Sequence, residues 1–277
     1  MNWLHSLMLG LVSGLSAPMP LSDAAGQGLL RQMLGVSEEG TLFLLACRAA
    51  VLAVLIASGT LELRRLRRTA RLMKLPPRKR TGHPSLNESG TLRLLRFASI
   101  PALLGGALGT RLSGLGDRLW LLAVTLVLSG LLLWLSGHMP TANKDGRHLT
   151  AADGTLMGLG ALASAVPGIS VMAAVISIGS MRGAHRKYTL RFAWMLLAYQ
   201  LAGGIAAELL TLAFSGLSFE SSQLLSAGIG ALAAAAGAYM AVRAVRRMSR
   251  SVRFRLNGFC YVNWGQALLC LVLFLLV

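Results

Sequence analysis

Two serines and one aspartate stand where the chain could act on a phosphate group. Ser22 and Asp23 follow a pair of prolines, Pro18 and Pro20, and Ser170 follows Pro167-Gly168. A helix that begins after such a break presents free backbone N–H groups and a positive dipole end, which suit an anion. A serine at this position can equally be a helix N-cap without a ligand. The pattern therefore predicts an anion site around Ser22, Gly168 and Ser170, with capping as the alternative.

Three charged side chains lie in apolar stretches, where charges are costly to bury. Asp23 could act as a general base or a metal ligand, or could only cap its helix. Arg48 could bind the anion, although a structural ion pair with Glu208 or Asp23 is the favoured interpretation. Glu208 is expected to reach the membrane interface. The cysteines and histidines have no metal-ligand spacing, so no metal site is predicted from them.

The elements that position these side chains are membrane helices. The chain is 55% hydrophobic and 13% charged, with a mean hydropathy of +0.62. Its apolar residues form blocks long enough to cross a hydrocarbon core of about 30 Å. The sequence predicts an all-α polytopic membrane protein with about six spans. These spans are residues 41–61, 97–110, 119–137, 192–214, 223–242 and 256–277.

Two further apolar regions, residues 3–34 and 154–181, are interrupted by the prolines beside the candidate site. Each half is too short to span a bilayer, which predicts a re-entrant helix pair. A continuous, kinked spanning helix is the alternative.

The charge distribution favours the re-entrant interpretation. With both broken regions returning to the side they entered from, all basic residues except Arg31, Arg48, Arg111 and Arg118 fall on one side of the membrane. By the positive-inside rule that side is the cytoplasm, so the N-terminus is predicted outside, in a bacterial inner membrane. Residues 62–96 are predicted to be a basic cytoplasmic loop. The net charge of +17 then needs anionic membrane lipids as partners and no nucleic acid.

The two broken regions also resemble each other. Residues 12–20 can be laid over residues 159–167, and a serine follows each of them, Ser22 or Ser170. A repeat that enters from opposite faces is typical of an inverted-topology fold, with its ligand site near the bilayer midplane. The sequence predicts a single membrane domain, residues 1–277, with inverted halves of about residues 1–137 and 138–277.

A family resemblance follows from these motifs. Residues 10–22, GLVSGLSAPMPLS, resemble the first motif of the undecaprenyl pyrophosphate phosphatase (bacitracin-resistance) family, which runs roughly GLVQGLTEFLPVSSSGH. Pro167-Gly168-Ile169-Ser170 resembles the start of its second motif, PGTSRSGAT. The resemblance implies an undecaprenyl-diphosphatase, a hydrolase that recycles the lipid carrier of peptidoglycan biosynthesis, acting on a polyprenyl phosphate or pyrophosphate lipid. It also leaves open a divalent cation such as Mg or Ca, and a homodimer.

The chain departs from this pattern at charged positions. Ser13 and Ala17 stand where the first motif has glutamates, and Val171 stands where the second has arginine. The family's histidine falls at Gly26 or Gln27. Two functions therefore stay open. The first is a divergent phosphatase that uses Ser22, Asp23, Ser170 and Arg48, and the second is a lipid-phosphate carrier, flippase or sensor that hydrolyses nothing.

Overall fold

The chain folds into a bundle of helices. The computed structural model describes residues 2–36, 40–76, 83–139, 143–214, 221–250 and 258–276. Across these ranges the only strand-like pairing is an isolated bridge between Lys144 and Ala184. The helices are α1 Trp3–Ser16, α2 Asp23–Leu34, α3 Thr41–Ser58, α4 Thr60–Lys74, α5 Leu86–Arg111, α6 Leu119–His138, α7 Ala151–Ala163, α8 Val171–Met181, α9 Arg186–Phe214, α10 Ser221–Arg250 and α11 Gly258–Leu276, with a short 3₁₀ helix at Ser113–Asp117 between α5 and α6.

Six of these helices are long and apolar enough to cross a membrane: α3, α5, α6, α9, α10 and α11. The predicted all-α, multi-pass membrane architecture is therefore confirmed. The span predicted at residues 97–110 was too short. The helix α5 has 26 residues, begins before the predicted span at Leu86, and is not interrupted at Pro101. A proline in a membrane helix is tolerated when neighbouring groups satisfy the backbone. Residues 256, 257 and 277 of the predicted last span lie outside the described residues.

Most of the basic segment predicted as a loop at residues 62–96 is helical. It contains most of α4 and the first turns of α5. In α4, Leu66 and Thr69 are buried, whereas Arg64, Arg65 and Arg68 are exposed. This amphipathic pattern lets α4 pack against α5 while its charges stay in solvent or headgroups. Residues 77–82 of the segment lie outside the described residues.

Both proline-broken regions are pairs of short helices. α1 and α2 have 14 and 12 residues, and α7 and α8 have 13 and 11. The helices of each pair are separated by non-helical residues, 17–22 in the first and 164–170 in the second. Neither region is the continuous, kinked helix that the sequence allowed as an alternative.

Contacts between helix ends show how the second pair runs. Arg182, directly after α8, forms a salt bridge with Asp153 in the first turn of α7, so the pair begins and ends at the same place. In the first pair, Arg31 near the end of α2 forms a salt bridge with Asp117 of the 3₁₀ helix at 2.9 Å. The re-entrant path across a bilayer stays a prediction, and the contact between the ends of the second pair supports it.

Small residues let α1 and α7 lie closely against long helices of the opposite half. Gly14 of α1 meets the backbone of Ala234 in α10, and Gly158 of α7 meets the backbone of Ala98 in α5. Close helix approach over small residues is typical of membrane proteins. The packing of α1 on α10 is thus matched by that of α7 on α5, an arrangement consistent with the inverted repeat, which stays a prediction.

Many basic side chains gather at one end of the bundle, called here the basic face. Arg246 donates to the carbonyl of Ser58, Arg93 to that of Leu149, and Arg186 to that of Gly137. Arg191 pairs with Glu62 at the same end. This grouping agrees with the predicted charge asymmetry, and the compartment that the basic face meets stays a prediction.

Candidate functional site

A cavity of about 160 Å³ lies where the two broken helix pairs meet. Four of the predicted site residues line it: Ser22 and Asp23 from the first break, Ser170 from the second, and Arg48 from α3. The structure therefore brings together residues that are far apart in the sequence. Gly168 is not part of the lining, so its predicted contact with a ligand is not supported.

Ser22 and Ser170 are both helix N-caps. The Ser22 hydroxyl accepts a hydrogen bond from the Ala25 backbone N–H at 3.3 Å, and Ser170 accepts one from Ala173 at 3.4 Å. Both serines are almost completely buried. Both serines thus cap a helix, whereas contact of their hydroxyls with a ligand stays a prediction, and the starts of α2 and α8 both face the cavity with their positive dipole ends.

Asp23 is the first residue of α2 and is not its cap. Its carboxylate accepts hydrogen bonds from Gln27 at 2.7 Å and from Ser16 at 3.1 Å. Both donors are neutral side chains, and together they hold the carboxylate in position. An oriented carboxylate at a cavity wall can accept a proton from a bound molecule.

Arg48 and Glu208 form an ion pair at 2.6 Å, as the sequence interpretation favoured. The Arg48 side chain is 22% exposed and that of Glu208 is 4% exposed, so the arginine is the partner that remains accessible. Gly204 makes this position possible, because a side chain there would meet the Arg48 guanidinium. The expectation that Glu208 reaches the interface was wrong: its carboxylate is buried beside Arg48 in the bundle.

Side chains from the spans fix both breaks. Ser129 of α6 donates to the Gly168 carbonyl at 3.0 Å and accepts from the Ser170 N–H at 3.3 Å. Asn263 of α11 donates to the Pro20 carbonyl at 3.1 Å. Gly168 has φ of 97°, a left-handed conformation that glycine adopts without strain. The role of Gly168 is therefore to turn the chain into α8.

The structure adds polar residues to the site that the sequence interpretation did not select. Gln27, Arg31, Ser164 and Gln200 also line the cavity. Gln27 stands one helical turn after Asp23, a spacing at which glutamine and aspartate interact. Gln200 is a polar residue inside an apolar span, which is itself a signal of a functional position. Gln200 donates to Ser164 at 2.8 Å, joining α9 to the second break.

Two lining residues show how this cavity differs from the family motifs. Ala17 and Val171 occupy positions where those motifs have a glutamate and the arginine, and both line the cavity. Apolar groups thus replace two motif charges, while Asp23 and Arg48 supply charge from other positions.

A divalent cation fits these donors poorly. Within the described ranges there is no group of three His, Cys, Asp or Glu side chains that could hold a metal ion. Among the described residues that line the cavity, Asp23 is the one carboxylate, and Glu208 is paired with Arg48. Oxygen-liganded Mg or Ca sites usually rely on carboxylates.

The fold and the site define a class of protein: a multi-pass helical membrane protein in which two broken helix pairs meet at a polar cavity. The sequence profile of the family described as bacitracin resistance protein BacA matches residues 6–268. The chain belongs to this family, and it is an undecaprenyl-pyrophosphate phosphatase-like membrane protein.

Several relatives carry the name undecaprenyl-diphosphatase. One from Carboxydothermus hydrogenoformans is 25% identical over 99% of this chain and 98% of its own length. One from Rubrobacter xylanophilus is 26% identical over the same shares. Undecaprenyl-diphosphatase 1 of Halalkalibacterium halodurans is 30% identical over 73% of this chain and 72% of its own length. The similarity therefore covers both halves of the molecule.

Proposed function

We propose that the central cavity binds the diphosphate group of a polyprenyl lipid and that the protein hydrolyses it to the monophosphate. The observation that carries this proposal is the meeting of two helix N-termini, Asp23 and Arg48 in one cavity. The N-termini and Arg48 supply positive charge for a phosphate, and Asp23 supplies a base. Family membership supports the same substrate class, because the relatives described above are named for undecaprenyl diphosphate.

The chemistry balances with one water molecule. The water oxygen forms a bond to the terminal phosphorus, and its proton passes to the Asp23 carboxylate. The bond between that phosphorus and the bridging oxygen breaks, and its electron pair stays on the lipid monophosphate. Arg48 and the first N–H groups of α2 and α8 stabilise the charge that develops on the phosphate oxygens. The products are polyprenyl monophosphate and inorganic phosphate.

A second function is favoured by the apolar groups at Ala17 and Val171. Without the motif glutamate and arginine at these positions, the cavity holds fewer groups to activate water than the family pattern provides. The same cavity could then bind the lipid phosphate and expose it to either side, as a carrier, a flippase or a sensor. Inverted repeats with broken helices at their centre are a known architecture of transporters.

The proposal places the protein in a bacterial inner membrane with its basic face toward the cytoplasm. The arginines at that face support this orientation by the positive-inside rule. The N-terminus and the 3₁₀ helix Ser113–Asp117 then lie on the outer side. Ser113 and Gly116 of this 3₁₀ helix line the cavity, so we expect a ligand to enter it from the outer side.

Phosphate release tests the hydrolytic function. Purified full-length protein in liposomes is given undecaprenyl diphosphate, with and without added Mg or Ca, and inorganic phosphate is measured. We expect release by the wild type and a decrease of at least about 100-fold in Asp23→Asn, the typical effect of losing a general base. Asp145→Asn is the matched control, because Asp145 lies outside the cavity lining and pairs with Arg147 and His148.

The same liposomes separate the two functions. If the wild type releases no phosphate above the empty-liposome background under any metal condition, the proposal that the protein hydrolyses the diphosphate is wrong. The carrier interpretation then requires the exposure of labelled polyprenyl phosphate across the bilayer to change while total free phosphate stays constant. No change in exposure would exclude the carrier and flippase forms of that interpretation as well.

A further inference from the structure

A second cavity, of about 850 Å³, lies away from the central site, between α4, the first turns of α5 and the turn that precedes α7. Four cationic side chains line it: Lys74 from α4, Arg93 and Arg96 from α5, and Arg147 from the turn. Its lining, as far as the structure describes it, contains no acidic residue. A cavity lined by four cations attracts an anion.

The same cavity has an apolar part. Met73, Leu86 and Phe97 line it and are 48%, 69% and 44% exposed. On α5, Leu86, Arg93 and Phe97 fall at spacings of seven and four residues, so they share one helix face. Cationic and apolar side chains thus lie side by side in one cavity. A lipid with an anionic headgroup needs both, the cations for its head and the apolar groups for its chain.

The walls of this cavity are held together by defined contacts. Thr69 of α4 donates to Glu88 of α5, and the Gly146 N–H donates to the Asn87 side chain at 2.9 Å. Gly90 lies so close to the Gly146 carbonyl that a side chain there would overlap it. The cavity is therefore formed before any ligand arrives, which lowers the entropic cost of binding.

The cations of the cavity retain capacity for a ligand. Arg93 donates to the Leu149 carbonyl at 2.7 Å, and Arg147 lies 3.5 Å from Asp145. Among the described residues, neither Lys74 nor Arg96 forms a salt bridge. A phosphate group could accept hydrogen bonds from these two side chains without breaking an ion pair.

We propose that this second cavity is a binding site for an anionic phospholipid of the leaflet that meets the basic face. The phosphodiester lies between Lys74, Arg96 and Arg147, and an acyl chain runs along Leu86 and Phe97. An amphipathic helix such as α4, with its arginines exposed, is suited to the headgroup layer where such a lipid is found. The proposal is independent of hydrolysis in the central cavity.

Native mass spectrometry of the full-length protein in detergent tests this site, with phosphatidylglycerol and phosphatidylethanolamine as probes. We expect the wild type to retain phosphatidylglycerol in preference to phosphatidylethanolamine. The combined variant Lys74→Gln, Arg96→Gln and Arg147→Gln should bind phosphatidylglycerol at least about tenfold more weakly, since one charge-assisted hydrogen bond to a phosphate already contributes about a factor of ten or more. The matched control, Arg64→Gln, Arg65→Gln and Arg68→Gln, removes the same charge from α4 outside the cavity lining.

The control should bind phosphatidylglycerol as the wild type does. Equal losses in both combined variants would show general charge attraction and would overturn the site. Equal retention of the two lipids by the wild type would overturn it too. The single variant Arg96→Gln keeps the test decisive if the combined variant does not fold, because the site requires a selective loss of phosphatidylglycerol in this variant as well.

Discussion

At the scale of single residues, the site depends on which charges are paired and which are not. Asp23 is held by two neutral donors, whereas Glu208 is bound to Arg48. The sequence alone identified all three as embedded charges, because charge in an apolar stretch is rare. It favoured an ion pair of Arg48 with either Glu208 or Asp23 but could not choose between them, since pairing between α3 and α9 depends on helix packing and on the missing side chain at Gly204.

The two serines lead to a prediction at this scale. Because the Ser22 hydroxyl caps α2, Ser22→Ala should lower the free energy of unfolding by about 1 kcal/mol, and Ser22→Gly by only a few tenths. Phosphate release by both variants should remain within about tenfold of the wild type. Chemical unfolding in detergent and the phosphate assay measure these two quantities. Complete loss of phosphate release in Ser22→Gly, with the fold retained, would show that the hydroxyl takes part in the chemistry.

At the scale of elements, the sequence placed both breaks correctly but not the groups that hold them. Prolines, apolar blocks and the following serines were enough to predict two interrupted helix pairs. The contacts of Ser129 with the second break and of Asn263 with the first join residues 39 or more positions apart. No local pattern indicates such contacts. The sequence analysis also failed to predict that α4 is helical, because a segment with so many charged residues was interpreted as a loop.

Close packing of α1 on α10 gives the prediction at this scale. A methyl group at Gly14 would overlap the backbone of Ala234, so Gly14→Ala should destabilise the protein by about 1–3 kcal/mol. Gly228 of α10 has no atom within 4 Å of the position that a methyl group would take. Gly228→Ala is therefore the matched control and should be neutral or slightly stabilising. Equal stability of the two variants in thermal unfolding would contradict the proposed close approach of α1 and α10.

At the scale of the whole molecule, the charge distribution predicted from the sequence agrees with the helix packing in the structure. The sequence separated the basic residues into one group from span order alone, and the structure gathers many of them at the basic face. Span order was enough to predict this grouping because the distribution of charge is a property of the entire chain, whereas the side of the membrane that the basic face meets stays a prediction. The second cavity could not be predicted, since it depends on how α4 lies against α5.

The salt bridge between the ends of the second helix pair gives a pH prediction at this scale. Burial acts to raise the pKa of Asp153, but hydrogen bonds from Thr150 and Arg182 outweigh it and hold the pKa below the ordinary value of 3.8. A carboxyl with a lowered pKa in the folded state contributes stability above that ordinary value, and this contribution is lost as the pH falls below it. The midpoint temperature of thermal unfolding of the wild type should therefore decrease as the pH falls below about 4.

Asp153→Asn should show less of this decrease, because the substituted side chain does not titrate. At pH 7 the variant should be less stable than the wild type, since Arg182 loses its charged partner. Parallel pH profiles for the wild type and Asp153→Asn would show that this contact between the helix ends does not contribute to stability.

The central claim is that the cavity between the two breaks is a diphosphate site in which Arg48 binds the ligand. Equilibrium binding of undecaprenyl diphosphate to the purified protein, compared between Arg48→Gln and Arg118→Gln, tests it most directly, whether or not hydrolysis follows. Arg118 is an exposed arginine that does not line the cavity. A charge-assisted hydrogen bond contributes about 1.5–3 kcal/mol, so Arg48→Gln should bind at least about tenfold more weakly, with Arg118→Gln unchanged. Equal affinities of Arg48→Gln and the wild type would contradict the account.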